Sequence, residues 1–259
     1  MTAHYELTDH VARVVIDRPA RRNAVDRATE AALQGIWQEI EADRRVRCVV
    51  LTGTGDKAFC AGADVHESAG SGLSGLDYWA APRPGGFGGI ASRTTLNVPV
   101  VARVNGHAFG GGFEMVLGAD IVVAVDDARF GLTEPRIGYL PLDGGMVQLP
   151  RQIPYHQAMG ILLTGRQIPA VEMLGFGLLN EVVARPDLDT AVGRWVDDIL
   201  ACSPASLRAI KAVVRGTAHL AVDDAMGRRL PALVEALTGP DQAEGAAAFR
   251  EKRAPNWSD

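Results

Sequence analysis

Cysteine and long apolar runs are both scarce in this 259-residue sequence, and each shortage excludes a class of protein. The three cysteines, Cys48, Cys60 and Cys202, cannot all pair within the chain, which predicts a reducing compartment and therefore a cytoplasmic protein. No stretch approaches the roughly 18 uninterrupted apolar residues of a membrane span. Residues 1–6 have neither a basic leader nor an apolar core, so we expect neither membrane insertion nor export.

A marked excess of positive charge is also missing. The formal net charge is −5 and both signs are mixed along the chain, which gives no reason to expect a nucleic acid or an anionic membrane as a partner. Arg44, Arg45 and Arg47 nevertheless form a basic cluster, which leaves RNA binding open as a remote alternative.

The motifs of several common enzyme classes are absent from the sequence. The three glycines at 110–112 do not extend to a dinucleotide-binding pattern, and residues 53–57 lack the spacing of a phosphate-binding P-loop. His66 has no second histidine four residues later, and no serine lies in a Gly-x-Ser-x-Gly turn. We therefore expect no nucleotide-phosphate cleavage, no metal site and no serine nucleophile.

The pattern of apolar residues predicts an α/β fold. Apolar runs at 11–17, 46–52, 98–104 and 121–125 are typical of strands, and the spacing after Asp26 predicts a helix capped by that residue. The run at 46–52 is almost wholly apolar, so we expect both faces of this strand to be buried. Strands that alternate with helices favour an α/β core.

From about residue 190 onward the pattern changes to helices alone. They are predicted at 190–201, 204–215, 222–237 and 241–252. We interpret 1–190 as the core and 191–259 as a helical region that completes the site and offers apolar faces for subunit contacts. The sequence thus predicts an oligomer.

Two turns rich in small residues and two acidic residues suggest a catalytic site. Glycines at 110–112 and the small residues at 61–63 each follow a predicted buried strand and let a ligand approach the backbone N–H groups. One N–H from each turn could stabilise a thioester carbonyl as it becomes an enolate. Glu114 and Glu134 could then divide the roles of base and acid.

Each of these acids also has a simpler interpretation. Glu114 could be a charge that interacts with the dipole at a helix start, although its neighbours are apolar and an unpaired buried carboxylate would be costly. Glu134 could be a solvated loop residue. The simple interpretation of Asp143, which lies nearby, is a turn aspartate that hydrogen-bonds its own backbone.

The chain resembles the crotonase superfamily, the enoyl-CoA hydratase/isomerase fold, over essentially its whole length. The matching stretches are Arg18-Pro19 with Asn23-Ala24, and residues 49–53, 59–64, 99–120, 130–145 and 249–253. The resemblance implies a spiral of ββα turns with a C-terminal helical region that builds homotrimers, often stacked as a dimer of trimers. Its order of motifs implies an enzyme of fatty acid metabolism.

Carried over residue by residue, the resemblance implies an oxyanion hole made by the N–H groups of Ala63 and Gly111. Glu114 would activate the water that adds to C3 of a 2-enoyl-CoA, and Glu134 would deliver the proton to C2. Coenzyme A, which is part of the substrate and the only carrier implied, would be bound by Arg21, Arg22, Ala24, Ala61, Asp64, Val65, His66, Phe249 and Lys252. The last two would contact nucleotide groups, sometimes from a neighbouring subunit.

Hydration is the favoured activity because both glutamates are present. Asp143 stands where hydratases commonly have a small residue, and isomerases of the family place a carboxylate in that neighbourhood, which leaves an enoyl-CoA isomerase open. Residues 83–90 and Phe113 are more similar to the carnitinyl-CoA dehydratase branch. Residues 69–92 are either a mobile surface loop or a lid whose aromatic residues line the acyl pocket.

Overall fold

The computed structural model describes residues 2–64, 75–81 and 83–258, so Val65 and His66 lie outside the described residues. The strands are β1 (Ala3–Thr8), β2 (Val11–Ile16), β3 (Cys48–Gly53), β4 (Ala58–Cys60), β5 (Val100–Val104), β6 (His107–Phe109), β7 (Ile121–Val125), β8 (Arg129–Gly131), β9 (Ile168–Pro169) and β10 (Glu181–Val183). The helices are α1 (Arg27–Ala42), α2 (Gly75–Ala80), α3 (Gly111–Leu117), α4 (Gly145–Gln152), α5 (Tyr155–Thr164), α6 (Ala170–Gly175), α7 (Leu188–Ala201), α8 (Pro204–Thr217), α9 (Val222–Met226), α10 (Pro231–Thr238) and α11 (Asp241–Glu251).

Two sheets form the core. The larger sheet has the order β1-β2-β3-β5-β7-β10, and all its pairs are parallel except the β1–β2 hairpin. The smaller sheet has the order β4-β6-β8-β9, with β9 antiparallel to β8. From β3 to β8 consecutive strands alternate between the sheets, so β3, β5 and β7 are each followed by a short strand of the smaller one. This mixed α/β architecture with C-terminal helices confirms the predicted fold class.

The local sequence signals explain several of these elements. Asp26 caps α1, since its carboxylate accepts a hydrogen bond from the Thr29 N–H at 2.7 Å. Ser203 caps α8 in the same way, ahead of Pro204 in the first turn. Every residue of β3 is buried, as its apolar composition predicted.

One predicted helix was wrong. The structure divides 222–237 into α9 and α10, with residues 227–230 between them. Pro231 has no N–H to continue a helix but fits the first turn of a new one, so α10 begins there.

α7 packs against β5 and β7, and Arg103 on β5 pairs with Asp189 at 2.7 Å. The division of the chain near residue 190 stays a prediction.

The segment between α2 and β5 carries buried residues. Phe87 and Ile90 are buried, and the Trp37 indole N–H on α1 donates to the Gly88 carbonyl at 2.7 Å. These residues therefore form part of the core beneath α3.

Within the described residues, no helix combines the length and the apolar character that crossing a membrane requires.

Candidate active site

The three parallel strands of the smaller sheet end at a common edge, where the predicted site residues meet. The turn 61–63 follows β4, Gly110 follows β6, and Glu134 lies three residues after β8. A Cβ atom added at Gly110 would lie 3.1 Å from Glu134 Oε1 and 3.9 Å from the Gly62 Cα, so the three segments are in contact. The carboxyl ends of parallel strands are a usual position for a ligand site in α/β proteins.

The two glycine-containing turns pack so closely that side chains do not fit between them. Gly62 and Gly110 have φ angles of 92° and 54°, in the left-handed region that favours glycine. A Cβ atom at Gly62 would lie 3.3 Å from the Gly111 nitrogen, and one at Gly112 would lie 2.1 Å from the Cys60 carbonyl oxygen. The start of α3 is thus held against the end of β4.

On each of the two turns, one backbone N–H group takes no part in the hydrogen bonds between strands or within the helix. The Val25 N–H donates to the Gly62 carbonyl and the Asp64 N–H to the Val25 carbonyl, both at 2.9 Å, so the intervening Ala63 N–H points to the other side. Gly111 is the first residue of α3, where N–H groups have no intrahelical acceptor. The structure therefore brings the turn of Ala63 against Gly111, and the oxyanion hole stays a prediction.

Glu114 lies on the inner face of α3 and is 2% exposed. Its Oε1 accepts a hydrogen bond from the Gly145 N–H at 2.8 Å, and the Asp143 N–H also faces this carboxyl group. Burial, followed by the negative charges of Asp143 and Glu134, raises the pKa of Glu114 to about 8 against the opposing effect of the N–H donors. Burial and the neighbouring charges therefore favour the protonated form of Glu114 near neutral pH.

Glu134 begins a short 3-10 helix, Glu134–Ile137, and its Oε1 lies close to the Gly110 turn. Its Oε2 is buried and has no hydrogen-bond partner among the described residues. Burial raises the pKa of Glu134, and the charge of Asp143 acts in the same direction. Two acids of raised pKa thus flank one turn, an arrangement that suits proton transfer at two sides of a bound group.

A cluster around Asp143 was not found from the sequence. The Tyr78 hydroxyl donates to Asp143 Oδ1, and the Arg83 Nε donates to the Tyr78 oxygen at 2.7 Å. The Arg83 guanidinium also lies 3.3 Å from Glu30 Oε2 and 3.4 Å from Asp143 Oδ2. Asp143 is 8% exposed, and its carboxylate binds these side chains instead of its own backbone, which corrects the simple interpretation of a turn aspartate.

Glu30 gave a signal that could have led to this cluster. It lies on the buried stripe of α1, one turn before Leu33 and two before Trp37, where a carboxylate needs a partner. Its carboxylate accepts the Gly88 N–H at 3.0 Å and pairs with Arg83. The sequence shows that Glu30 needs partners but does not show which residues they are.

The predicted CoA-binding residues fall into two groups. The Ala61 N–H donates to the Arg22 carbonyl at 3.1 Å, which joins the segment of Arg21, Arg22 and Ala24 to residues 61–64. Asp64 is buried and pairs with Arg18 at 3.1 Å. Phe249 and Lys252 lie at the exposed end of α11, and among the described residues no hydrogen bond or ion pair links them to the first group.

A cavity of about 360 Å³ opens beside this first group. It is lined by Arg22, Asp56, Lys57, Gly106, His107, Asp127 and Arg185. His107 Nδ1 accepts the Arg129 N–H at 3.2 Å, which leaves Nε2 to carry the ring proton. Burial lowers the pKa of His107, and neighbouring arginines add to this effect, so the neutral ring is favoured.

Comparisons with known proteins find relatives over nearly the whole chain. The family described as Enoyl-CoA hydratase/isomerase matches residues 6–259. The chain is 33% identical over 258 residues to carnitinyl-CoA dehydratase of Proteus mirabilis, with 98% of this chain and 97% of the relative covered, and 34% identical over 260 residues to that of Salmonella typhi, with the same coverage. Among solved structures, it is similar to enoyl-CoA hydratase from Mycobacterium tuberculosis, at a TM-score of 0.90 and 31% identity, with 99% and 98% of the two chains covered. Enoyl-CoA hydratase from Bacillus anthracis gives a TM-score of 0.88 at 31% identity, with 99% of each chain covered.

Proposed function

Because the chain belongs to the enoyl-CoA hydratase/isomerase family, we propose that it is a hydro-lyase that adds water across the 2,3 double bond of a 2-enoyl-CoA. The observation that carries this proposal is the pair of acids near the Gly110 turn: Glu114 is buried, and Glu134 is half-buried with its Oε2 atom inaccessible to solvent. Hydration needs one group to accept a proton from water and another to give a proton to carbon. The relatives named as lyases support the same class of reaction.

In the proposed mechanism, the N–H groups of Ala63 and Gly111 bind the thioester oxygen. Their donors favour the enolate because its oxygen carries more negative charge than the carbonyl oxygen of the substrate. Hydration starts from the form of the pair in which Glu134 holds the single proton and Glu114 is ionised. Glu114 then takes a proton from the water that attacks C3, and Glu134 gives its proton to C2. At the end of the cycle the proton lies on Glu114, and the pair has gained and lost no net proton.

Coenzyme A is proposed to bind along the 21–24 and 61–64 segments, with no further cofactor or metal. The cavity beside Arg22 supports this because Lys57, Arg185 and the His107 Nε2–H supply donors for phosphate groups, although Asp56 and Asp127 offset part of the positive charge. Phe249 and Lys252 are proposed to contact the nucleotide of a neighbouring subunit, since they are exposed and lie apart from the first group.

The direct test is the reaction with crotonyl-CoA. We expect loss of the ultraviolet absorbance of the conjugated enoyl thioester together with a product heavier by one water. The same assay with 3-enoyl-CoA serves as the comparison for isomerase activity. Unchanged crotonyl-CoA beside rapid conversion of the 3-enoyl substrate would reject hydration in favour of double-bond migration.

The pH dependence of the reaction follows from the raised pKa of Glu114. The active pair holds a single proton, which lies on Glu134 before hydration and on Glu114 before dehydration, so both directions need the same protonation state. We expect kcat/KM in both directions to fall as pH rises through about 8, where the pair loses this last proton. Rate profiles for crotonyl-CoA and 3-hydroxybutyryl-CoA would check this, and a flat profile across pH 8 would contradict it.

A carnitinyl-CoA dehydratase activity is the second candidate, favoured by the relatives that carry this name. It uses the same acid pair in the reverse direction, with Glu134 taking the C2 proton and Glu114 protonating the departing hydroxyl. Comparison of kcat/KM for carnitinyl-CoA and 3-hydroxybutyryl-CoA separates the two candidates. The isomerase alternative is less favoured because Tyr78 and Arg83 already bind the Asp143 carboxylate.

The proposed assembly is a homotrimer or a dimer of trimers in the cytoplasm. Exposed apolar side chains on the C-terminal helices, Ile210 and Val214 on α8 and Leu237 on α10, support subunit contacts. RNA binding is not favoured, because Arg44 pairs with Glu235 and Arg45 pairs with Asp43.

A further inference from the structure

The turn before α4 carries both the backbone contacts of Glu114 and a third carboxylate. The N–H groups of Gly145 and Asp143 face the Glu114 carboxyl group, so the backbone of Asp143 is fixed next to the acid pair. These contacts to Glu114 come from the backbone and would also form with a small residue at position 143. The carboxylate of Asp143 is therefore not needed to position Glu114.

The direction of the Asp143 side chain is fixed by two contacts from the α2 segment. Tyr78 donates to one carboxylate oxygen, and Arg83 lies 3.4 Å from the other. The Arg83 guanidinium in turn lies 5.1 Å from the centre of the Tyr78 ring and 5.6 Å from that of Phe87, the ring that packs over Gly111. Asp143 thus has one defined position beside the site.

The charges around Glu114 come from several elements. Asp143 from the turn before α4 and Glu134 from the 3-10 helix face it directly, and Arg83 and Glu30 lie behind Asp143. Arg83 divides its positive charge between Glu30 and Asp143, so it does not cancel the effect of Asp143 on the acid pair. The negative charge of Asp143 opposes ionisation of Glu114, whose carboxyl group accepts a hydrogen bond from Gly145 in the same turn, and it raises the pKa of Glu134 as well.

We propose that Asp143, held by Tyr78 and Arg83, is a positioning residue whose negative charge keeps the catalytic proton on the Glu114/Glu134 pair. It does so without contact with the reacting atoms. The proposal rests on the proposed hydro-lyase mechanism, in which the pair must enter each cycle with one proton. Asp143 therefore raises the upper pH limit of enzyme activity.

The test compares Asp143→Asn with Tyr78→Phe. The first removes the charge and keeps the size of the side chain; the second breaks the hydrogen bond and keeps the charge. The alkaline limb is the part of the pH profile in which kcat/KM for crotonyl-CoA falls as pH rises. For Asp143→Asn we expect this limb to lie at a pH lower by about one unit, a typical effect of one nearby charge. For Tyr78→Phe we expect the limb to stay in place, and Tyr155→Phe, which alters an exposed tyrosine, serves as the control.

The position of the limb is a readout that a purely structural role would not move. Loss of packing would lower the rate at every pH and leave the limb where it is in the unaltered enzyme. An unmoved limb in Asp143→Asn, or an equal displacement in Tyr78→Phe, would overturn the proposal.

A second measurement needs no turnover. Infrared spectra show the C=O stretch of a protonated carboxyl group, and the band that disappears in Glu114→Gln belongs to Glu114. We expect this band to be lost at lower pH in Asp143→Asn than in the unaltered protein. If the band is lost at lower pH in Asp143→Asn but the protein hydrates no enoyl-CoA, the proposed function is rejected and the effect of the Asp143 charge is supported. If the band is lost at the same pH in both proteins, the effect of the Asp143 charge is rejected.

Discussion

Replacement of Glu114 by glutamine is expected to lower kcat for crotonyl-CoA hydration by about 10²–10⁴-fold, the usual contribution of a general acid or base. Glutamine has nearly the same shape, and its amide oxygen can still accept the Gly145 N–H. It cannot take a proton from water at neutral pH. The rate and the thermal unfolding of the two proteins should be measured together, because the loss is expected in kcat while the melting temperature changes little.

Glu172→Gln is a matched control for this variant. Glu172 lies exposed on α6, away from the site, and its replacement should leave kcat unchanged. Glu134→Gln should cause a loss comparable to that of Glu114→Gln, since each acid transfers one of the two protons. Full activity in either site variant would remove that residue from the mechanism.

Gly112→Ala is expected to lower kcat by about 10²–10³-fold, which is the cost of losing one donor of an oxyanion hole. The added methyl group would lie 2.1 Å from the Cys60 carbonyl oxygen, which is backbone and cannot rotate away. The start of α3 must therefore move, and both the Gly111 N–H and Glu114 move with it. Single-turnover rates with crotonyl-CoA measure this effect on the chemical step.

Gly35→Ala separates this effect from that of any methyl group added to a helix. Gly35 lies inside α1, and a Cβ atom there meets nothing within 4 Å. Alanine at this position should raise the free energy of unfolding by about 0.5–1 kcal/mol through its better helix propensity and leave kcat unchanged. If Gly112→Ala also retained the kcat of the unaltered enzyme, the close approach of the two turns would have no role in the reaction.

The sequence predicted the acid pair and the turns because their signals are local. Glu114 stands out as a carboxylate inside an apolar helix, and the glycines at 110–112 mark a close backbone approach within a few residues. β3, β5 and β7 were found from apolar runs. In the smaller sheet β4, β6 and β8 have three residues each and β9 has two, too few for a periodic pattern to appear.

The cluster around Asp143 could not be predicted because its contacts join distant parts of the chain. Tyr78 and Asp143 are 65 positions apart, and Arg83 and Asp143 are 60 apart. The composition of the intervening residues does not show that Arg83 forms ion pairs with Asp143 and Glu30. The pairing follows only once α2 is placed against the turn before α4, which is a property of the tertiary fold.

The alternation of strands between the two sheets divides the proposed chemistry among successive turns of the chain. In the proposed mechanism, the segment after β4 supplies one N–H for the thioester oxygen, the segment after β6 supplies the other together with Glu114, and the segment after β8 supplies Glu134. Each segment begins at the end of its own strand, and the close contacts among Gly62, Gly110 and Glu134 hold the three segments together. Oxygen binding and proton transfer are therefore coupled properties in the proposed site, because a change in any one of these turns is expected to affect both.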